Sequence, residues 1–369
     1  MLQELLEHRQ LLPILTHDDG TAVTAATWER RRAELRAALE RYSYGHTPAA
    51  PDKVWAEVTE ENPTAFAGKA RDLSLAIHFE TERGVFTFPA RLVIPTFLEK
   101  PPVFMQLAFR RDVPDRYLPA EELIDAGYAL AVVCYKDIVN DEHFGDFSDG
   151  LAQYFGTTAN RQPEQWGKIG MWAYGASRFL DYLVTRDDLD TDHVAVVGHS
   201  RLGKTALWAG ALDERFWAVI SNGSGYGGAA TSKHGNGERV IDFIRAGSWD
   251  WYCENFKDYT GEKEDQKPYD QAFLLALTAP RLLCVGSAAE DFPADPQSEF
   301  LTSLWASQAW TLLGKKGLIT PDRLPEVGDG LDEGCIHYHL RKGRHFHSRE
   351  DWNFYVRFLN KKLAEEKSI

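Results

Sequence analysis

The segment HVAVVGHSRLGKTALW, residues 193–208, joins an apolar strand pattern to a turn and a helix. The strand pattern ends at Val197 and a helix is predicted from about Leu202, so Ser200 lies in the turn between them. Such a turn can hold a serine hydroxyl above the end of a sheet, where the helix N-terminus favours developing negative charge. Gly203 stands one residue later than in the general G-x-S-x-G pattern. Ser200 is therefore the candidate nucleophile, and a non-catalytic glycine-serine turn is the alternative.

A serine nucleophile needs a histidine to take its proton and a carboxylate to orient that histidine. In α/β-hydrolases the acid and then the histidine follow the serine along the chain. The apolar run LLCV precedes GSAAEDFPADP, which offers Asp291 as the acid, Glu290 as the alternative acid and Asp295 as a third choice. The segment RHFH before the last predicted helix offers His345 as the base, with His347 close by. Helix-capping carboxylates and a structural histidine are the competing interpretations.

Backbone N–H groups are expected to stabilise the oxyanion of an acyl-transfer reaction. The N–H of Arg201, at the helix start, is one candidate. The second donor is expected in the loop after the strand at 103–107, where Phe109 is placed by position alone. Each donor should lower the barrier by about 3 kcal/mol. Ser200 would then form an acyl-enzyme that water hydrolyses, and no cofactor or metal is required.

The pattern of predicted elements indicates an α/β fold with a mostly parallel sheet, of the α/β-hydrolase type, because apolar strands alternate with helices from about residue 100. Before that point, residues 27–42 predict a helix. We expect an N-terminal helical arm at 1–50 and one catalytic domain at 51–369. Extended segments are predicted near 53–58, 71–80 and 85–95, buried strands at Val103–Leu107, Tyr128–Tyr135, Val194–Val197, Trp217–Ile220 and Leu282–Val285, and helices around Ile169–Leu183 and 349–364.

Composition narrows the class of protein. Hydrophobic residues make up 44% of the 369 residues, enough for a large core, and the formal net charge of -14 disfavours a nucleic-acid partner. None of the four cysteines forms a CxxC pair, so buried free thiols are expected rather than a zinc site. The N-terminus lacks a signal-peptide pattern and no 18-residue apolar run occurs, so we expect a cytoplasmic protein without a membrane span. The oligomeric state stays open.

Six segments carry a family resemblance: WGKIGMWAYGASRFLDYL, VAVVGHSRLGKTALWAGALDERF, NGSGYGG, DQAFLLALTAPRLL, SAAEDFPADP and RKGRHFHSREDW. Together they resemble the glucuronoyl esterase family, family fifteen of the carbohydrate esterases, over most of residues 100–360. The resemblance implies an α/β-hydrolase that cleaves esters between glucuronic acid on xylan and lignin alcohols. Related sequences are often labelled acetylxylan esterases.

The resemblance also implies roles for matching residues. Ser200 corresponds to the nucleophile and His345 to the base. Arg201 matches the arginine of a G-x-S-R-x-G-K signature, whose guanidinium would help hold the oxyanion. Lys204 matches the lysine of that signature, which contacts sugar hydroxyls.

This sequence departs from the family pattern at two places. Some members carry the acid as a glutamate soon after the strand that follows the nucleophile helix, where this chain has Gly223. The acid is then expected from the later loop, which again selects Asp291. Members often have a tryptophan shortly after that acid, near the uronate, where this chain has Phe292 and Pro293. Secretion is also typical of enzymes that act on plant cell walls.

The segment between nucleophile and acid offers further candidates for substrate binding. Trp251 could stack on a sugar, and Glu254 and Gln271 could bind its hydroxyls, although a core position is an equally good interpretation of Trp251. The expected partner is a small-molecule or oligosaccharide ester.

Four functions remain open from the sequence. The leading hypothesis is a hydrolase of carbohydrate esters with a uronate acyl group. The alternatives are an acetyl or small-acyl esterase on the same triad, an inactive hydrolase-fold binding protein, and a metal hydrolase. The pairs His337/His339 and His345/His347 suggest the metal hydrolase, because i and i+2 residues on a strand share a face. Of His337 and His339, one is expected to face the core and the other solvent.

Overall fold

The computed structural model describes residues 1–142, 144–155 and 161–368. Its strands are β1 Val54–Ala65, β2 Ala70–Thr81, β3 Gly84–Pro95, β4 Val103–Ala108, β5 Ala129–Cys134, β6 Val194–His199, β7 Ala218–Asn222, β8 Leu282–Ala288, β9 Gly330–Leu331 and β10 Ile336–Arg341. The described strands form one sheet in the order β1-β2-β3-β5-β4-β6-β7-β8-β10-β9.

The centre of this sheet is parallel from β5 to β10. Strands β5, β4, β6, β7, β8 and β10 pair in parallel with their neighbours. At one edge β1, β2 and β3 form antiparallel hairpins, and β3 joins β5 antiparallel; at the other edge β9 pairs antiparallel with β10. The central strands are buried on both faces, which is why their sequences are continuous apolar runs. The predicted mostly parallel α/β-hydrolase fold is confirmed.

Helices cover both faces of the sheet. Their bounds are α1 Leu2–Arg9, α2 Trp28–Leu39, α3 Ala120–Asp125, α4 Gly150–Tyr154, α5 Lys168–Leu183, α6 Arg201–Leu212, α7 Val240–Ala246, α8 Gln271–Ala276, α9 Pro296–Leu312 and α10 Arg349–Glu366. Successive residues of β4 point to opposite faces: Met105 joins the larger core with Trp172 and Leu207, whereas Phe104 packs against Trp352 of α10 in the smaller core.

The first fifty residues pack onto the larger core. Trp28, Leu35 and Leu39 of α2 are all buried there. A π-helical turn at Glu40–Tyr44 continues α2. The Tyr44 hydroxyl donates to the Gly227 carbonyl at 2.9 Å. The N-terminal segment thus contacts the loop that follows β7.

Two expectations from the sequence concern the state of the cysteines and the presence of membrane-spanning helices. All four cysteines are free thiols, and Cys134, Cys253 and Cys284 are buried, as predicted. No helix in the described ranges combines the length and apolarity that crossing a bilayer requires.

The parallel centre of the sheet positions the candidate site. Phe109, Ser200, Gly223, Asp291 and His345 follow the carboxyl ends of β4, β6, β7, β8 and β10 respectively. Ligand and catalytic sites of open α/β sheets form at this edge.

Candidate active site

Ser200 occupies a strained turn between β6 and α6. Its backbone has φ 59° and ψ −128°, a conformation that L-residues rarely adopt. The turn is fixed by two hydrogen bonds, from the Ser200 N–H to the Asn222 carbonyl and from the Gly203 N–H to the Ser200 carbonyl, both at 2.9 Å. This is the strand–turn–helix geometry expected for a nucleophile, with the side chain half-buried at the carboxyl edge of the sheet.

Gly198 allows the end of β6 and the start of α6 to approach each other closely at this turn. A β-carbon at this position would lie 2.0 Å from the Leu202 carbonyl oxygen, so any side chain would push α6 away from β6. The glycine before the serine is therefore required by packing at the start of α6.

The candidate acid and base form a hydrogen-bonded pair. His345 Nδ1 lies 2.6 Å from Asp291 Oδ2. The Asp291 side chain is 3% exposed and that of His345 is 44% exposed, so a buried carboxylate holds an imidazole that remains open to substrate. The imidazole of His345 also lies 4.4 Å, between ring centroids, from His199, the residue before Ser200. The structure thus pairs the predicted acid and base and places the base beside the residue that precedes Ser200.

The loops that carry the acid and the base are joined through their backbones. The Ala289 N–H donates to the Arg341 carbonyl and the Glu290 N–H donates to the Gly343 carbonyl, each at 2.9 Å. The Glu290 side chain is 46% exposed and lies 4.0 Å from the Arg344 guanidinium, an exposed group. The geometry therefore favours Asp291 over Glu290 as the partner of His345.

The neighbouring histidines are buried. Burial lowers the pKa of His347 to about 4, and its ring stacks on Trp352 with centroids 4.8 Å apart. Burial, with smaller contributions from His345 and His347, also lowers the pKa of His199. Asn222 donates from Nδ2 to the Tyr355 hydroxyl, so its Oδ1 accepts from His199 Nδ1 at 2.8 Å. Of these three histidines, His345 is the one paired with a carboxylate.

Gly223 faces the acid–base pair. An ideal β-carbon there would lie 3.3 Å from Asp291 Oδ2 and 3.5 Å from His345 Nδ1. The resemblance places a glutamate here in some family members, and this position does border the imidazole. In this chain the carboxylate arrives from the loop after β8 instead.

Arg201 is held between a carboxylate and an indole. Its guanidinium pairs with Asp141, whose side chain is buried, and lies 4.4 Å above the ring of Trp251. Trp251 Nε1 donates to the same carboxylate at 2.7 Å. The Phe109 ring lies 5.9 Å from the guanidinium. Arg201, Trp251 and Phe109 thus surround the nucleophile turn, and one face of Trp251 is covered by Arg201 rather than open to a sugar.

Lys204 is buried within the loop that follows β7. Its Nζ donates to the Ser224 and Tyr226 carbonyls, at 2.5 and 2.7 Å, and lies 3.9 Å from Glu238. Burial lowers the pKa of this ammonium, while Glu238 counteracts that shift. Two donors of Lys204 therefore fix the loop, and the sugar contact implied by the resemblance stays a prediction.

The other two candidates for substrate binding have partners within the protein. Glu254 forms an ion pair with Lys257. Gln271 is buried, and its Nε2 donates to the Gly228 carbonyl at 3.0 Å and to the Tyr44 hydroxyl at 3.3 Å. These contacts give Gln271 a role in holding the loop after β7.

The prediction for the first HxH pair was wrong. His337 and His339 are both fully buried, because i and i+2 residues of β10 point to the same face. His337 Nε2 lies 3.0 Å from His339 Nδ1, and His339 Nε2 lies 2.8 Å from Asp351. Among the residues that the structure describes, no group of three His, Cys, Asp or Glu side chains could hold a metal ion.

Three comparisons bear on the family. The profile described as "Glucuronyl esterase, fungi" matches residues 122–314. Carbohydrate esterase MZ0003, from an unknown prokaryotic organism, is 35% identical over 93% of this chain and 87% of its own. The solved glucuronoyl esterase from Solibacter usitatus is 33% identical, with a TM-score of 0.84 over 95% of this chain and 96% of that chain. The chain belongs to the glucuronoyl esterase family.

Membership of the glucuronoyl esterase family makes the chain a carboxylic ester hydrolase of carbohydrate esters. The 4-O-methyl-glucuronoyl methylesterase of Cerrena unicolor is 29% identical over 81% of this chain, which spans 61% of the length of that relative. Within the glucuronoyl esterase fold, Phe292 stands where the resemblance places a tryptophan, and it is 72% exposed. An exposed aromatic side chain therefore follows the acid in this chain.

Sequence reasoning missed two buried carboxylates of this glucuronoyl esterase site. Asp141 lies after β5, at the same edge of the sheet as the nucleophile, and that position was the available signal. Glu299, in the first turn of α9, accepts from the Gly225 N–H at 3.0 Å and from the Ser287 hydroxyl at 2.5 Å. Burial, with a smaller contribution from Asp291, raises the pKa of Glu299 to about 7. No local sequence signal marks Glu299.

The raised pKa of Glu299 predicts a pH-dependent stability. Below its ordinary pKa of 4.5 Glu299 is protonated in both folded and unfolded chains; above about 7 it is ionised in both, and the folded chain bears the cost of a buried charge. This group should therefore cost up to about 3 kcal/mol of unfolding free energy as pH rises through that interval. E299Q should gain stability relative to the wild type over the same interval, measured as unfolding free energy from urea titrations.

The exposed carboxyl Glu326 provides the control for this test. E326Q should change the unfolding free energy by only a few tenths of a kcal/mol, because the Glu326 side chain is 77% exposed and an exposed ion pair contributes little. A flat difference between E299Q and the wild type would contradict the raised pKa of Glu299.

Proposed function

We propose that this chain hydrolyses esters in which glucuronic acid supplies the acyl group, using Ser200, His345 and Asp291. The observation that carries the proposal is the 2.6 Å hydrogen bond between His345 and Asp291 beside the strained turn of Ser200. The family supports ester hydrolysis, and the curated relative from Cerrena unicolor is named a 4-O-methyl-glucuronoyl methylesterase.

The proposed reaction proceeds through an acyl-enzyme. Ser200 Oγ attacks the ester carbonyl carbon while His345 Nε2 accepts the hydroxyl proton, and Asp291 stabilises the imidazolium through Nδ1–H. The bond to the alcohol oxygen then breaks as His345 returns the proton to the leaving alcohol. Water attacks the acyl-enzyme, His345 takes a proton from that water, and Ser200 leaves with the proton restored.

Positive and N–H groups around Ser200 would stabilise the oxyanion. The Arg201 N–H lies at the start of α6, and the N–H of Phe109 follows β4. The Arg201 guanidinium is fixed by Asp141 and Trp251, so it can face developing charge with little reorganisation. Lys204 is the candidate contact to sugar hydroxyls. The cytoplasmic location stays a prediction.

A second candidate is an acetyl or small-acyl esterase on the same three residues. It is favoured by the exposed Phe292 in place of the expected tryptophan, since this changes the uronate side of the pocket. In addition, one solved structure at 33% identity and TM-score 0.85 is described as a promiscuous CE15 esterase.

Hydrolysis of methyl glucuronate and of acetylated xylose separates the two candidates. A glucuronoyl esterase binds the sugar on the acyl side, so kcat/KM for methyl glucuronate should exceed that for acetylated xylose by about 10²-fold or more, because remote binding energy is used in the transition state. The measurement is the initial rate over a range of each substrate, with S200A as the blank. Faster release of acetate than of methanol would favour the second candidate.

A further inference from the structure

The His345 side chain, the proposed base, contributes few of the contacts that hold its loop in place. The loop runs between the end of β10 and the start of α10, and the His345 side chain is 44% exposed. One hydrogen bond, to Asp291, orients the imidazole. A base on such a loop needs its backbone to be held, because a displacement of about 1 Å can cost about 10²-fold in rate.

The side chain of Arg341, the last residue of β10, holds that backbone. Its Nη2 donates to the carbonyls of Arg344, at 3.1 Å, and of Phe346, the two residues on either side of His345. Its Nη1 donates to the Lys342 carbonyl at 2.8 Å. A single buried guanidinium thus binds the carbonyls of both residues next to the base.

Asp351 anchors this guanidinium from the first turn of α10. Its two oxygens accept from Arg341 Nε at 3.0 and 2.8 Å. The same carboxylate accepts from His339 Nε2 at 2.8 Å and from the Ser348 N–H at 2.7 Å. Burial alone would raise the pKa of Asp351, but the hydrogen bond from His339 and nearby positive charge hold it below its usual range.

We propose that Arg341 is a positioning residue that keeps His345 aligned with Ser200 by holding the carbonyls of Arg344 and Phe346. The proposal rests on the proposed function, in which His345 is the general base and acid. The planar fork of arginine reaches several acceptors at once, whereas a lysine ammonium at the same place cannot span them. Loss of the fork should therefore weaken proton transfer by His345, to the leaving alcohol above all, and leave ground-state binding of the sugar unchanged.

The test compares R341K with R349K by the kinetics of methyl and phenyl esters of glucuronic acid. R341K should lower kcat for the methyl ester by about 10²-fold with KM within about twofold, because misalignment of the base affects the chemical steps. The loss should be smaller for the phenyl ester, whose alcohol leaves with less help from a general acid. R349K, which changes an exposed arginine at the start of α10 that pairs with Glu122, should behave like the wild type.

Rates are expressed per folded molecule, determined from unfolding curves, and R341Q and D351N are measured alongside. An equal loss for both esters, a change confined to KM, or full activity of folded R341K would overturn the proposal. So would failure of all three variants to fold, since Arg341 would then serve folding alone. H345Q separates the two ideas: an active H345Q defeats the proposed function, whereas an inactive H345Q beside a fully active R341K defeats only this inference.

Discussion

Replacing Ser200 with alanine is expected to lower kcat by about 10⁶-fold, because the nucleophile is lost and no acyl-enzyme can form. The measurement is steady-state hydrolysis of p-nitrophenyl acetate and of methyl glucuronate by purified S200A. The fold should remain, since alanine keeps the β-carbon at φ 59° and the turn is fixed by backbone hydrogen bonds. Undiminished turnover in S200A would place the reactive group elsewhere.

S200G provides a matched control for the turn. Glycine at φ 59° and ψ −128° carries no β-carbon, so S200G should be more stable than S200A by about 1 kcal/mol. Both variants should be equally inactive. Lower stability of S200G would mean that the turn of Ser200 is not strained, and the elbow geometry would lose its support.

The parallel part of the sheet could be predicted because its strands are buried on both faces. The predicted runs Val103–Leu107 and Val194–Val197 became β4 and β6 within two residues at their carboxyl ends. The chain order of nucleophile, acid and base then placed Asp291 and His345 after two later strands, where the structure pairs them. Burial patterns and the order of residues along the chain can both be read from a single sequence.

Helix α9 could not be predicted, because its buried face is not an apolar stripe. Ser298, Glu299, Thr302 and Ser303 are buried beside Phe300, so no 3.6-residue hydrophobic period distinguishes it. Their partners lie far along the chain, at the helix N-cap or in the helix backbone. Glu299 accepts from the Gly225 N–H, and the Ser298 hydroxyl donates to the N-cap residue Asp295. The Ser303 hydroxyl donates to the Glu299 carbonyl. A helix stabilised by such contacts leaves little pattern in the sequence.

The groups that hold the catalytic residues in place could not be predicted from the sequence either. Asp141 lies 60 positions before Arg201, and only the fold shows that they form an ion pair. Arg341 and Asp351 are close in sequence, but nothing local indicates that this pair faces the backbone on both sides of His345. Catalytic side chains could be chosen by type and order, whereas their supporting contacts depend on tertiary geometry.

The second large effect is expected for Asp291. D291N should lower kcat by about 10⁴-fold with little change in stability, because asparagine is similar in size but cannot stabilise the imidazolium that forms at His345. Its amide can also turn an N–H toward Nδ1, which favours the tautomer with a proton on Nε2, and that tautomer cannot accept the proton of Ser200. The measurement is kcat and KM for methyl glucuronate, together with the unfolding free energy.

E290Q is the informative partner of D291N, because it makes the same chemical change at the adjacent position. Glu290 is half exposed and lies 4.0 Å from Arg344, so E290Q should keep kcat within about twofold, as expected for a surface pair that contributes little. Because residue 223 is a glycine, no side chain at that position can replace the carboxylate that D291N removes from beside His345. A large loss in E290Q with a small loss in D291N would exchange their roles, and equal small losses would mean that His345 acts without a carboxylate partner.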